Sequence, residues 1–272
     1  QHLVIAEENG SVLLHLWDGG THYFRSSTAL SPEDLSEAIR HYELGNAFFA
    51  FEGTEEHAHT VAPLSLFLEE TPVLPELSVS SLVSDRSLLL ASLHFNPNTQ
   101  NRYRDSDGTE VISESNNRTL RIQTDGTILY QSDDDSTLSI EAEGTTPSPV
   151  EAATEVCALL HSLLPASSGP AGLYLEHIQQ TNNITQLRFG YQVGGVPVRF
   201  ANGQSAALVT LSGTTVSSIT LNFRQYTVTE NASLLLPLRQ TLAIAADLPE
   251  AALSIGYADQ GDGIVRAVWM AN

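Results

Sequence analysis

The sequence predicts an α+β protein: two related units of antiparallel β-sheet with packed helices, plus a small N-terminal α+β region. Three observations carry that prediction. A stretch of β-type sequence occurs twice, as Tyr103 to Ile112 with Leu120 to Tyr130, and as Tyr191 to Phe200 with Leu208 to Val216. Tyr191 follows Tyr103 by 88 positions and Gly213 follows Gly126 by 87, so the copies stay nearly in register. Hairpin dipeptides divide both copies: Asp107-Gly108, Asn116-Asn117 and Asp125-Gly126 in the first, Gly194-Gly195, Asn202-Gly203 and Ser212-Gly213 in the second. Such residues tolerate the left-handed backbone that tight turns need. Finally, helical patterns precede whole runs of strands and do not alternate with single strands, which argues against βαβ units.

Taken in order, Ser11 to Trp17 alternates like a strand and runs into the turn Asp18-Gly19-Gly20. Ser31 then caps a helix, with Pro32 in the first position and Glu33 and Asp34 in the first turn, where acids complement the helix dipole. Leu35, Ala38, Ile39 and Tyr42 form its apolar face and Gly45 ends it. Ala47 to Phe51 reads as a short buried strand, and the proline- and serine-rich Pro72 to Ser81 as a connector. A second helix starts at Ser84 or Asp85 and carries Leu88 to Ala91 as far as His94. After the first β copy, Asp133 to Asp135 and Gly144 to Pro149 mark a boundary. A helix over 150–164 follows, with Val150, Ala153, Val156, Leu160 and Leu163 on one side. Leu173 to Ile178 opens a run of strands that holds the second copy and the Asn182-Asn183 turn. Pro237 starts a helix through Ala245, and Leu253 to Tyr257 pairs with Ile264 to Trp269 around Gln260 to Gly263. The expected organisation is an N-terminal α+β region at 1–80, a first β repeat unit at 81–146 and a C-terminal α+β unit with the second repeat at 147–272.

Composition narrows function. The 272 residues hold 42% hydrophobic residues at a mean hydropathy of −0.06, the balance of a folded, water-soluble chain. No window reaches the roughly 18 apolar residues a membrane helix needs. Acidic residues number 32 against 12 basic ones, for a net charge of −20, and every basic residue is arginine. Nucleic-acid binding and direct adhesion to an anionic leaflet are thereby disfavoured, since both need clustered cations. Without lysine, Schiff-base, Ser-Lys and P-loop chemistry are closed. Cys157 is the single cysteine, so no internal disulfide or cysteine metal cluster forms, and its helical setting reads as a small buried hydrophobe. The chain begins at Gln1 and its one methionine is Met270, which reads as a processed chain with any signal peptide or anchor upstream.

Candidate sites are few. In Glu55-Glu56-His57-Ala58-His59, alternate histidines on a strand would share a face for a metal, yet no third ligand stands out. Asp105-Ser106-Asp107-Gly108 begins like a calcium loop, but Asn116 stands where the twelfth-position acid belongs, so a hairpin turn explains it better. Asp133 to Asp135 reads as a solvated loop. Gly203-Gln204-Ser205 misses the nucleophile elbow by its last glycine and falls in a β turn. No catalytic, cofactor-binding or metal residue is assigned. Tyr103, Tyr191 and Tyr226 would favour a ligand cleft if they lined a concave face; the simpler expectation places them in the core.

The stretch His94-Phe95-Asn96-Pro97 leading to Tyr103 and Asp107-Gly108-Thr109, with Leu120 to Tyr130, has a familiar form. So has Leu187 to Val198 with the Ser212-Gly213 turn, Arg224-Gln225-Tyr226 and Leu236-Pro237. Together, over roughly residues 94–247, they resemble the YycH/YycI family, extracytoplasmic regulators of a two-component sensor histidine kinase of the WalK type in Gram-positive bacteria. The resemblance implies a membrane anchor just before Gln1, an α+β portion outside the membrane, and contacts with the kinase and a sister regulator. It implies no catalysis and no cofactor. The expected function is therefore a non-enzymatic, extracytoplasmic regulatory domain of a membrane-anchored protein. The alternative, from another class, is a ligand- or peptide-binding sensor domain, and a third is a hydrolase or metal enzyme with an unrecognised site.

Overall fold

The alternation and turn chemistry resolve, in a computed structural model, into strands and short helices over residues 2–17, 23–40, 47–52, 66–68, 70–81, 86–114, 117–133, 138–164, 169–245, 253–261 and 263–271. The elements run β1 (His2–Glu8), β2 (Ser11–Trp17), β3 (Tyr23–Ser27), α1 (Pro32–Ile39), β4 (Ala47–Phe49), β5 (Leu66–Leu68), β6 (Pro75–Ser80), α2 (Arg86–Ser92), β7 (Arg102–Arg104), β8 (Glu110–Glu114), β9 (Arg118–Ile122) and β10 (Thr127–Gln131). They continue with α3 (Pro149–Leu163), β11 (Ala171–Thr181), β12 (Ile184–Val193), β13 (Val196–Phe200), β14 (Ala207–Ser212), β15 (Thr215–Asn222), β16 (Gln225–Ala232), α4 (Leu238–Ala245), β17 (Leu253–Asp259) and β18 (Ile264–Ala271). The α+β class is observed.

The helix start read at Ser31 forms as expected, and a second of the same kind forms at Ser148. Ser31 closes a capping box with Asp34, and Ser148 does the same with Glu151, each followed by a proline in the first turn. In α3 the buried stripe is Ala152, Val156, Leu160 and Leu163. Val150 is 75% exposed, because two positions before Ala152 it lies on the far side of the helix. α1 buries no residue at all; Tyr42 and Gly45 lie outside the described residues.

Among the described residues, thirteen strands form one sheet in the order β16-β6-β18-β17-β13-β12-β14-β15-β10-β9-β8-β7, with β11 on the remaining edge of β12. Every pairing in it is antiparallel except β13 with β17. The repeated segments are joined edge to edge through β10 and β15, and they share one core that α2 and α3 help to close. Each copy is two successive hairpins, but they differ in what pairs between the hairpins. In the first, β8 pairs with β9, giving a meander. In the second, β14 pairs with β12 and β13 leaves to join β17. β12 thus has two partners along one edge: β14 from Ile184 to Phe189, and β13 from Tyr191 to Val193. The sheet forks there.

The reading of Pro72 to Ser81 as a connector is overturned. Pro75–Ser80 is β6, seated between β16 and β18, with Leu77 fully buried. Pro75 sits at the first residue of the strand, where its missing N–H is tolerated, and Leu77 and Val79 alternate with Glu76, Ser78 and Ser80 as a strand requires.

Candidate functional site

The sequence candidates fall in different places. Glu55, Glu56, His57 and His59 lie outside the described residues. Asp107 shapes the β7–β8 hairpin: its Oδ1 accepts from Thr109 N at 2.9 Å, and hydrogen bonding to Thr109 holds its carboxyl below the usual range. Asp133 accepts from Asn117 Nδ2 at 2.8 Å, while Asp134 and Asp135 lie outside the described residues. Gly203 to Ser205 form the loop between β13 and β14, where Ser205 O accepts from Asn222 Nδ2. Cys157 is half-buried against the core, with its Sγ 3.5 Å from His161 Nδ1 one helical turn on. Of the three tyrosines, Tyr103 is 54% exposed on an edge strand, whereas Tyr191 and Tyr226 are buried.

Those two buried tyrosines hold the fork together. Tyr191 on β12 stacks edge-on with Phe200 and Tyr226, and donates its hydroxyl to Asn222 O at 3.2 Å. Tyr226 donates to Asp259 Oδ2 at 2.9 Å. Asp259 is 2% exposed and satisfied on every side: Arg224 Nε lies 3.4 Å from Oδ2, and Gly261 N donates to Oδ1 at 2.9 Å. Arg224 also lies over the Phe200 ring at 5.4 Å. Burial pushes both phenols up, and the Asp259 charge adds to the rise at Tyr226. A carboxylate held in this way clamps one limb of the sheet to the other.

A second polar group stands on the outer face of the sheet. β11 carries a bulge between Leu175 and His177, which places Glu176 to receive Tyr174 Oη at 2.9 Å and to pair with Arg199. Gly190 opposite leaves the room. A Cβ there would come within 2.6 Å of Glu176 Oε1 and 2.8 Å of the Tyr174 ring.

The N-terminal sheet presents an open apolar edge. β1 pairs only with β2, and β2 with β3, so among the described residues one edge of β1 carries no strand. Leu3, Val4 and Ile5 in the middle of that edge strand are 58%, 57% and 42% exposed, and Tyr23 and Phe24 on β3 are exposed as well. α1 lies along Ile5 and Ala6, and a groove of about 730 Å3 remains between them, lined by Pro32, Leu35 and Ile39. Edge strands are normally blunted by lysine, proline or a bulge, and β1 has none of these. Sequence reading passed over β1 although its signal was present. Asn9-Gly10, both with positive φ at 52° and 78°, is the type I′ hairpin dipeptide that follows the apolar run Leu3 to Ala6 after Glu7 and Glu8. Comparison of the chain with family models, curated proteins and solved structures finds no match.

Proposed function

We propose that this chain works by contact with another protein and not by catalysis. The observation that supports this reading is β1: a seven-residue edge strand with an open backbone and three consecutive exposed apolar residues. Such an edge can accept a strand from a partner, with main-chain hydrogen bonds giving affinity and alternate side chains giving specificity. The resemblance to YycH/YycI regulators supplies the circuit. The partner is a sensor histidine kinase together with a sister regulator, the contact lies outside the membrane, and the protein regulates by binding. The test is amide hydrogen exchange on the chain with and without the kinase's extracytoplasmic domain. Slowed exchange in β1, abolished by Leu3→Lys with Ile5→Lys, is the expected result. Binding that leaves β1 exchange untouched sinks the assignment of the surface, and no binding to the kinase sinks the circuit.

A further inference from the structure

At its β7 edge the large sheet finishes in a cluster of arginines. Arg104 lies across from Glu110 and Glu110 across from Ile122, so β7, β8 and β9 bring these three side chains to one face. Glu110 is 4% exposed, and its two carboxylate oxygens are taken by Arg86 Nη1 at 2.6 Å and by Arg102 Nη2. A buried carboxylate is tolerated only when neutralised in this way, and the pairing in turn fixes the Arg86 guanidinium. Beside it opens a cavity of about 270 Å3 whose wall includes Arg86, Arg104, Glu110, Ile122, Gln123 and Thr124. Arg104 has no carboxylate partner among the described residues, although acids outnumber arginines by 32 to 12. In so acidic a chain an arginine that faces a cavity and has no carboxylate partner among the described residues is a candidate receptor for an outside anion.

We propose that this cavity binds a small monocarboxylate, presented either by a free acid or by the C terminus of a peptide. The planar guanidinium of Arg104 matches a carboxylate with two parallel hydrogen bonds. Ile122 offers an apolar wall to the adjoining carbons, and Gln123 and Thr124 offer neutral hydrogen-bonding groups. The fixed charge selects against phosphate. A dianion at this cavity would meet the neighbouring Glu110 carboxylate and the field of a −20 protein more strongly than a monoanion does.

The experiment follows the arginine Nε–Hε resonances of the labelled chain during titration with butyrate, butyramide, phosphate, and an acetylated tripeptide with a free or an amidated C terminus. Saturable shifts with both free carboxylates, or with one of them, are expected at a Kd on the order of 1 mM, and which one binds identifies the source. Arg104→Gln should weaken that binding about tenfold, the loss of a charge-assisted pair. Arg239→Gln, at an exposed site on α4, should leave it unchanged. The proposal is overturned if no carboxylate saturates, if the amides or phosphate bind as well as the acids, or if Arg104→Gln binds like the parent.

Discussion

Gly126→Ala should be a damaging methyl group to add to a turn of this protein. Gly126 lies between β9 and β10 with φ +88°, where a side chain costs about 1–2 kcal/mol from its own backbone. The new Cβ would also stand 2.6 Å from Ser81 O and 2.9 Å from Phe223 O. Neither neighbour gives way freely. Ser81 directly follows β6, and Phe223 N donates to Gly126 O at 2.9 Å from the end of β15. Forcing the two backbones apart adds about 1–3 kcal/mol, for a total of roughly 2–5 kcal/mol. Gly195 supplies the comparison. Its φ is +83°, but no atom lies within 4 Å of a Cβ there, so Gly195→Ala should cost only about 1–2 kcal/mol. Urea unfolding of both variants, followed by far-UV circular dichroism, isolates the close approach as the difference between them. If the two midpoints fall together, the packing of Gly126 against β6 and β15 does not carry the energy assigned to it.

Asp259→Ala leaves Arg224 and the Tyr226 hydroxyl without their buried acceptor and should destabilise by about 3–5 kcal/mol in the same urea assay; Asp259→Asn, which keeps an acceptor for Tyr226, should cost less. Alkali should unfold the protein early. Burial and the neighbouring Glu176 push the Tyr174 phenol from 10.0 up to about 12, and Tyr191, Tyr226 and Tyr257 are raised as well. The folded state therefore keeps phenol protons that the unfolded chain has lost. This stabilisation is complete below pH 10 and disappears as pH rises towards the folded values, and Tyr174→Phe should shrink the loss between about pH 10 and 12. Ile5→Lys, at an exposed edge position, should change stability by less than about 0.5 kcal/mol while removing partner binding in a pull-down with the kinase domain.

The parts of the fold set by local chemistry were readable in the residues. Ser31 announces its helix because a hydroxyl, a proline and an acid at fixed spacing mark the orphaned first-turn amides, and Ser148 carries the same signal although the sequence reading passes over it. The hairpin glycines announce turns because few other residues hold positive φ. What could not be read is pairing between distant segments. Nothing in Glu76-Leu77-Ser78-Val79 names β16 and β18 as neighbours, and nothing in Tyr191 says that β12 would divide its edge between β13 and β14. The glycines of the repeat were legible as turn formers, yet the contact of Gly126 with Ser81 and Phe223 is a tertiary fact. The Arg86–Glu110–Arg102 group was illegible for the same reason, since its members come from a helix and two strands. Glu55 to His59, the histidine metal pattern the residues offered, lies outside the described part of the chain.

The position of β6 has a consequence for how the protein is made. Ser78 pairs with Thr227 and with Ile264, about 150 and about 190 residues later in the chain. A ribosome that has just released β6 must therefore build many further strands and α3 before either neighbour exists. Throughout that interval Leu77, destined for complete burial, hangs on a strand with two bare edges. Synthesis that stops short of the β17–β18 hairpin leaves not a smaller folded protein but a sticky one, because an early strand of the large sheet waits for a partner far downstream.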